Sequence, residues 1–256
     1  MTDLAPDNPV KPVAQAAEQA VKAEVAPSWV RRNRARLFQL YGLVALAAFS
    51  VLAFFAHSVN YFQPDLYITL AIQSINNSVF DFVMRALTEL GNAPLALVFW
   101  LLPVVLLFVA GLRWESVMTL VSVIGVSLLS QVAKLIVGRP RPDGSVVHVF
   151  SLTSDYSFPS GHVLFYIGLV GFLWFLAYTL LKRSRRRTLA LWVLGAMVAL
   201  IGVSRIYLGA HWASDVFGSY LLGSAWLLFA IEIYRWGKPR FFATQPAAPE
   251  TSKTAG

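Results

Sequence analysis

Three short stretches, far apart in the chain, carry side chains suited to handling a phosphate group. In the first, Lys134 is followed by Leu135, Ile136, Val137 and Gly138 and then by Arg139, Pro140, Arg141 and Pro142. Lys134 stands at the end of an apolar run, where an ionisable group costs about 2–3 kcal/mol and faces a polar cavity. A lysine point charge beside a planar guanidinium suits an anion that exposes several oxygens. The prolines stiffen the exit and fix where Arg141 points. The second stretch is Pro159, Ser160, Gly161 and His162, immediately before another apolar run. A helix starting there offers free backbone N–H groups to an anion. Gly161 lets the backbone approach it closely, and His162 can donate a proton near neutral pH. The third is Ser204 and Arg205, then five residues, then His211 and, four further on, Asp215. If the last helix begins by His211, the two share a face. A carboxylate accepting from one ring nitrogen then fixes the tautomer and leaves the other nitrogen as a nucleophile.

Each stretch alone has a plainer reading: a snorkelling lysine with interfacial arginines, an ordinary helix start, a satisfied polar contact at a helix end. Their meaning depends on what positions them. Of 256 residues, 57% are hydrophobic and 13% charged, with a mean hydropathy of +0.61, a membrane composition. The absence of cysteine excludes disulfides, thiolate catalysis and cysteine metal sites. A net charge of +8 raises nucleic acid as a partner, but the basic residues lie beside apolar runs, where they act as orientation signals.

A helix needs about twenty mostly apolar residues to cross the hydrocarbon, and about six segments come close: Leu40–His57, Pro94–Leu112, Val117–Val137, Val163–Leu181, Leu189–Tyr207 and Trp212–Tyr234. The fold class expected is all-α, a polytopic membrane bundle spanning residues 37–236. A tight turn is required between the last two spans. Residues 1–36, rich in Ala, Pro, Lys and Glu, and residues 237–256 read as disordered cytoplasmic tails. The run starting near Leu40 is expected to direct insertion and remain as an anchor.

Sixteen of the twenty-one Lys and Arg residues fall on one side of this six-span arrangement: the N-terminal flank, Arg113, the Lys182–Arg187 loop and the C-terminal flank. Positive flanks stay cytoplasmic, so both termini are expected inside and all three chemical stretches outside. Residues 65–91 are too interrupted (Gln73, Asn76, Asn77, Asp81, Arg85, Glu89) for a comfortable span, and are placed outside as an amphipathic segment at the membrane surface. Arg139, Asp143, His148 and Asp155 read as solvated loop. Topology thus gathers the three stretches on one face without having used them, a conjunction hard to obtain by chance.

Lys134 with six residues before Arg141 and Pro142, the Pro159–His162 string, and Ser204 and Arg205 with five residues before His211 and three before Asp215 together resemble the three-part signature of the type 2 phosphatidic acid phosphatase (PAP2) superfamily, with every position filled. The resemblance covers about Leu40 to Tyr234. It implies a helical bundle with the site near one membrane face, in the cytoplasmic membrane of a bacterium. It implies further that His211 attacks phosphorus to form a phosphohistidine, that Asp215 orients it, and that His162 protonates the leaving oxygen. Lys134, Arg141, Ser160, Gly161 and Arg205 would hold the phosphoryl oxygens. No cofactor and no metal are expected, because the positive charge is built in and no carboxylates stand at metal-ligand spacing. The implied partner is a lipid phosphate or diphosphate in the bilayer, of the undecaprenyl diphosphate, phosphatidylglycerol phosphate or phosphatidate class. Vanadate-dependent haloperoxidases share the signature but are soluble. A phosphotransferase using a polyprenyl diphosphate donor is the alternative that the sequence leaves open.

Overall fold

A computed structural model describes residues 28–150 and 155–241. Among them every regular element is helical: α1 (Ser28–Ser58), α2 (Gln63–Gln73), α3 (Ser78–Glu89), α4 (Leu95–Val109), α5 (Arg113–Val137), α6 (Gly161–Leu180), α7 (Arg185–Tyr207) and α8 (Ala213–Phe241). Five of these, α1, α5, α6, α7 and α8, are long and apolar enough to cross a membrane; α4 is a shorter apolar helix. The protein is an integral membrane helical bundle, as its composition requires.

Burial sorts the helices. In α6, 61% of the most apolar window is buried, against 6% in α1, so α6 is the central helix and α1 gives most of its surface to lipid. α6 can sit at the centre because it presents small residues to its neighbours. A methyl on Gly168 would lie 2.5 Å from Val126 Cγ1 of α5. Around this point α6 widens into a π-helical turn, Ile167–Gly171, a feature common near functional sites, and Ser122 Oγ donates to the Gly168 carbonyl at 2.8 Å. Phe172, Phe175, Met118 and Tyr234 fill the bundle toward one end. Val163, Tyr166, Ile201, Ile206 and Val216 fill it toward the other, beside α3.

Several boundaries differ from those read in the sequence. Residues 28–36 and 237–241, read as tail, are the ends of α1 and α8; the rest of both tails lies outside the described residues. The segment 65–91 is two helices, α2 and α3, separated at 74–77, with Asn77 capping α3 by accepting from Val79 and Phe80 N–H. Ser204 Oγ donates to the Met84 carbonyl at 2.5 Å, and Tyr166 Oη to the Leu87 carbonyl at 2.5 Å. These bonds dock α3 on α7 and α6. The tight turn between α7 and α8 is present at 208–212.

Candidate active site

At the end of the bundle where α5 stops, α6 begins and α7 turns into α8, the chain encloses a cavity of about 450 Å³. Lys134, Arg141, Gly161, His162, Arg205 and His211 all line it, so the three stretches converge as their topology predicts. α5 ends because Gly138 adopts a left-handed conformation (φ 64°), which only glycine takes without cost. The chain then turns Arg139 inward and Arg141 toward the cavity. Ser160 caps the start of α6. Its backbone N–H donates to Ser219 Oγ at 2.7 Å, while its own hydroxyl is buried with no partner. A methyl built on Gly161 would meet nothing closer than Ser130 Oγ at 3.5 Å; the open side belongs to the cavity.

His211 is 1% exposed. Its Nδ1 lies 2.7 Å from the Ser157 carbonyl, an acceptor only, so Nδ1 carries the hydrogen and Nε2 is left with its lone pair. Arg141 Nη1 stands 3.2 Å from that Nε2. Burial, reinforced by the charges of Arg141, Arg205 and Lys134, pushes the imidazole well below the ordinary histidine range, so it is neutral at pH 7. This corrects one expectation. The His211 Nδ1 to Asp215 distance is 3.7 Å, too long for a hydrogen bond, and His211 precedes the first turn of α8 rather than sharing its face with Asp215. The tautomer is set by Ser157. Asp215 acts one step removed, accepting from Ser157 Oγ at 2.5 Å and from Trp212 N–H at 2.9 Å.

Besides Arg85, which pairs with Asp81, three cations line the cavity. Arg205 reaches it from α7, held by Thr88 Oγ1 at 3.1 Å; Thr88 in turn bonds Ser204 Oγ at 2.8 Å. Its Nε is buried without a partner. Arg141 is anchored by the Ala210 carbonyl at 2.7 Å. Lys134, 4% exposed, bonds the Tyr156 carbonyl at 2.8 Å. Asp155 pairs with both Lys134 and Arg141, the latter at 2.6 Å. Partial burial pushes the Asp155 carboxyl up, but the hydrogen bond and charge of Lys134, with Arg141, outweigh it and hold it at about 2. Unpartnered buried donors and converging cations suit a tetrahedral oxyanion. Among the described residues no three His, Asp or Glu side chains gather where they could hold a metal ion.

Of the residues read as solvated loop, one is not solvated and one does more than that. Arg139 is fully buried, donating to Asp215 at 2.5 Å, Asp65 at 2.9 Å, Ser214 Oγ at 2.7 Å and the Asn60 carbonyl at 3.1 Å. Asp155 is exposed in its loop, as read, and is also the cation partner just described. Asp143 and His148 are exposed. The sequence reading also missed Asp65, Ser157, Glu89 and Asn92. Nothing local marks them; Glu89 stood out only as a charge in a segment too polar to span.

A sequence profile of the PAP2 superfamily matches residues 116–239. Phosphatidylglycerophosphatase B of Bacillus subtilis is 30% identical over 185 residues, which is 68% of this chain and 85% of that protein. An undecaprenyl-diphosphatase of Sulfolobus acidocaldarius is 39% identical over 106 residues, 40% of this chain and 46% of the relative. The crystal structure of the transmembrane PAP2-type phosphatidylglycerolphosphate phosphatase from Bacillus subtilis superposes with a TM-score of 0.66 at 27% identity, covering 78% of this chain and 98% of that one. With its three signature stretches gathered around one oxyanion cavity, and with this likeness over most of a relative's length, the chain belongs to the PAP2 superfamily of membrane phosphatases.

Proposed function

We propose that the protein hydrolyses a lipid phosphate or diphosphate through a phosphohistidine on His211, without a metal ion. The observation that carries this reading is the His211 ring: Nδ1 tied to the Ser157 carbonyl and Nε2 turned, unprotonated, toward the cavity cations. Nε2 attacks phosphorus in line with the departing lipid oxygen, which takes a proton from His162. Water then attacks the phosphohistidine, returning a proton to His162 and releasing inorganic phosphate. Lys134, Arg141 and Arg205, with the Ser160 hydroxyl and the backbone at Gly161, hold the equatorial oxygens, where charge spreads during phosphoryl transfer. Asp215 keeps Ser157 and the turn at Trp212 in place. The lysine and arginine distribution supports a bacterial cytoplasmic membrane protein with both termini inside and the cavity outside.

The substrate keeps its tail in lipid, because the cavity opens at the end of membrane-spanning helices. Phosphatidylglycerol phosphate stands first among candidates, since a relative named for that activity matches over most of its length; undecaprenyl diphosphate and phosphatidate follow. The test is phosphate release by purified protein in excess EDTA from the three lipids side by side, with His211→Ala as control. Release that depends on His211 and survives EDTA supports the reading. Loss of release in EDTA overturns metal independence, and label passing to a lipid or sugar acceptor with no free phosphate overturns hydrolysis.

A further inference from the structure

Beside the three signature stretches, the connection between α3 and α4 contributes a fourth wall. Asn92 and Glu89 line the same cavity as His162 and His211. Asn92 Oδ1 lies 3.0 Å from His162 Nε2, and Asn92 Nδ2 donates to Glu89 Oε1 at 3.3 Å. The second bond orients the first. A carboxylate only accepts, so the amide must turn its NH₂ to Glu89 and its oxygen to His162. An amide oxygen also only accepts, so His162 Nε2 must carry a hydrogen.

The connection is rigid enough to hold this arrangement. Asn92 N–H donates to the Glu89 carbonyl at 3.0 Å, and Ala96 N–H donates to the Asn92 carbonyl at 2.8 Å. Gly91 lies flat against the imidazole: a methyl there would sit 2.4 Å from His162 Cδ2 and 2.9 Å from Nε2. Backbone on one side and an acceptor at Nε2 leave the ring one orientation.

We propose that Asn92, oriented by Glu89, is a positioning residue that keeps the transferable proton on Nε2 of His162 and aims the ring at the leaving oxygen. The inference rests on the phosphatase reading above and adds to it a residue outside the signature. During transfer the substrate's negative charge holds the His162 ring as the imidazolium; the phosphorus–oxygen bond to the lipid breaks, its electron pair stays on the lipid oxygen, the Nε2 proton passes to that oxygen as it approaches from the cavity alongside Asn92 Oδ1, and the ring is left as neutral imidazole. In the second step Nε2 recovers a proton from the attacking water. The acceptor matters here because Arg141 and Arg205 share the cavity with His162 and offer its Nε2 only donors.

The test compares two substrates of matched chain length, an alkyl phosphate, whose poor leaving group needs the proton, and an aryl phosphate, whose good one does not. Asn92→Leu, of similar size but without an acceptor, is expected to lower kcat on the alkyl phosphate by about tenfold or more, a fraction of the usual general-acid contribution, and on the aryl phosphate by less than about threefold. Asn92→Asp paired with Glu89→Gln, which keeps the acceptor without setting two carboxylates side by side, should restore most of the alkyl rate. Equal loss on both substrates, or no rescue by the paired substitution, overturns the assignment. Should Asn92→Leu not fold, Glu89→Ala is read in the same assay: an alkyl-selective loss is expected, and an unselective one counts against the relay. Wild-type turnover tests the phosphatase reading; the ratio between substrates in the variants tests this one.

Discussion

Arg139 Nη1 lies 2.5 Å from Asp215 Oδ1, and neither side chain is exposed to solvent. The same guanidinium reaches Asp65 through Nη2 at 2.9 Å, and Asp65 accepts from both the backbone and the hydroxyl of Ser214 at 2.7 Å. One cation thus ties the exit of α5, the start of α2 and the start of α8 together, directly behind His211. Guanidinium geometry allows this because its donors fan out in one plane and can serve two carboxylates at once.

Removing that cation leaves two buried carboxylates with their neutral donors but without a counter-charge. Arg139→Ala is expected to destabilise the protein by about 3–5 kcal/mol, the usual cost of breaking a buried pair from one side. Arg139→Lys should recover part of it, since an ammonium keeps the charge but cannot bridge both acids. Thermal unfolding in detergent measures both, and an unchanged midpoint for Arg139→Ala would falsify the keystone role.

Stability should fall on acidification through the histidine range. The His211 imidazole is held well below its ordinary value of 6.5 by burial and by neighbouring cations, so the unfolded chain binds a proton there before the folded one does. The contribution is complete above the unfolded value and declines as pH drops beneath it. Unfolding midpoints followed from about pH 7.5 to 5.5 should decrease in the wild type and less steeply in His211→Gln. Parallel slopes in the two proteins would count against a neutral, buried His211.

Asp155 holds the two cations that a phosphoryl group would contact. Asp155→Asn should therefore strengthen inhibition by vanadate, by roughly two- to fivefold, the scale of one screened ion pair, and the gain should shrink at high salt. Weaker inhibition would mean that the carboxylate organises Lys134 and Arg141 rather than competing for them.

The turn that delivers His211 depends on Gly209, which has φ 64° and no room for a side chain: a methyl would sit 2.0 Å from the His148 carbonyl oxygen. That carbonyl is itself pinned by Gln73 Nε2 at 2.7 Å. Gly209→Ala should cost at least about 1–2 kcal/mol from backbone strain alone, with the clash in addition, and should lower activity through His211. A folded variant with wild-type activity would show that the turn has another way to close.

The proposed orientation is testable because the chain contains no cysteine. A single Ser184→Cys variant, between α6 and α7, should react with an impermeant maleimide only after the inner face is opened. Labelling of intact cells would invert the topology and place the cavity inside.

The sequence by itself determined the bundle, the spans and the signature residues of the cavity, Lys134, Arg141, Gly161, His162, Arg205 and His211. Twenty-residue apolar runs have one stable outcome in a bilayer, because every backbone N–H and C=O must be satisfied within the segment. Charged and polar groups at their ends are costly enough that Lys134, Arg205 and His211 had to share a polar site. Spacing along the chain could carry this much, since each signature stretch is local. What only the tertiary structure decided is which neighbour each group answers to. Asp215 is four residues from His211, yet the ring bonds the Ser157 carbonyl instead, because the turn at 208–212 puts His211 ahead of the helix. Arg139 sits in a loop-like Arg-Pro-Arg-Pro string but is buried, because Asp65 arrives from a helix 74 residues away. Asn92 meets His162 across 70 residues. Partners at such separation are set by packing of whole helices, and no local pattern of residues records that packing.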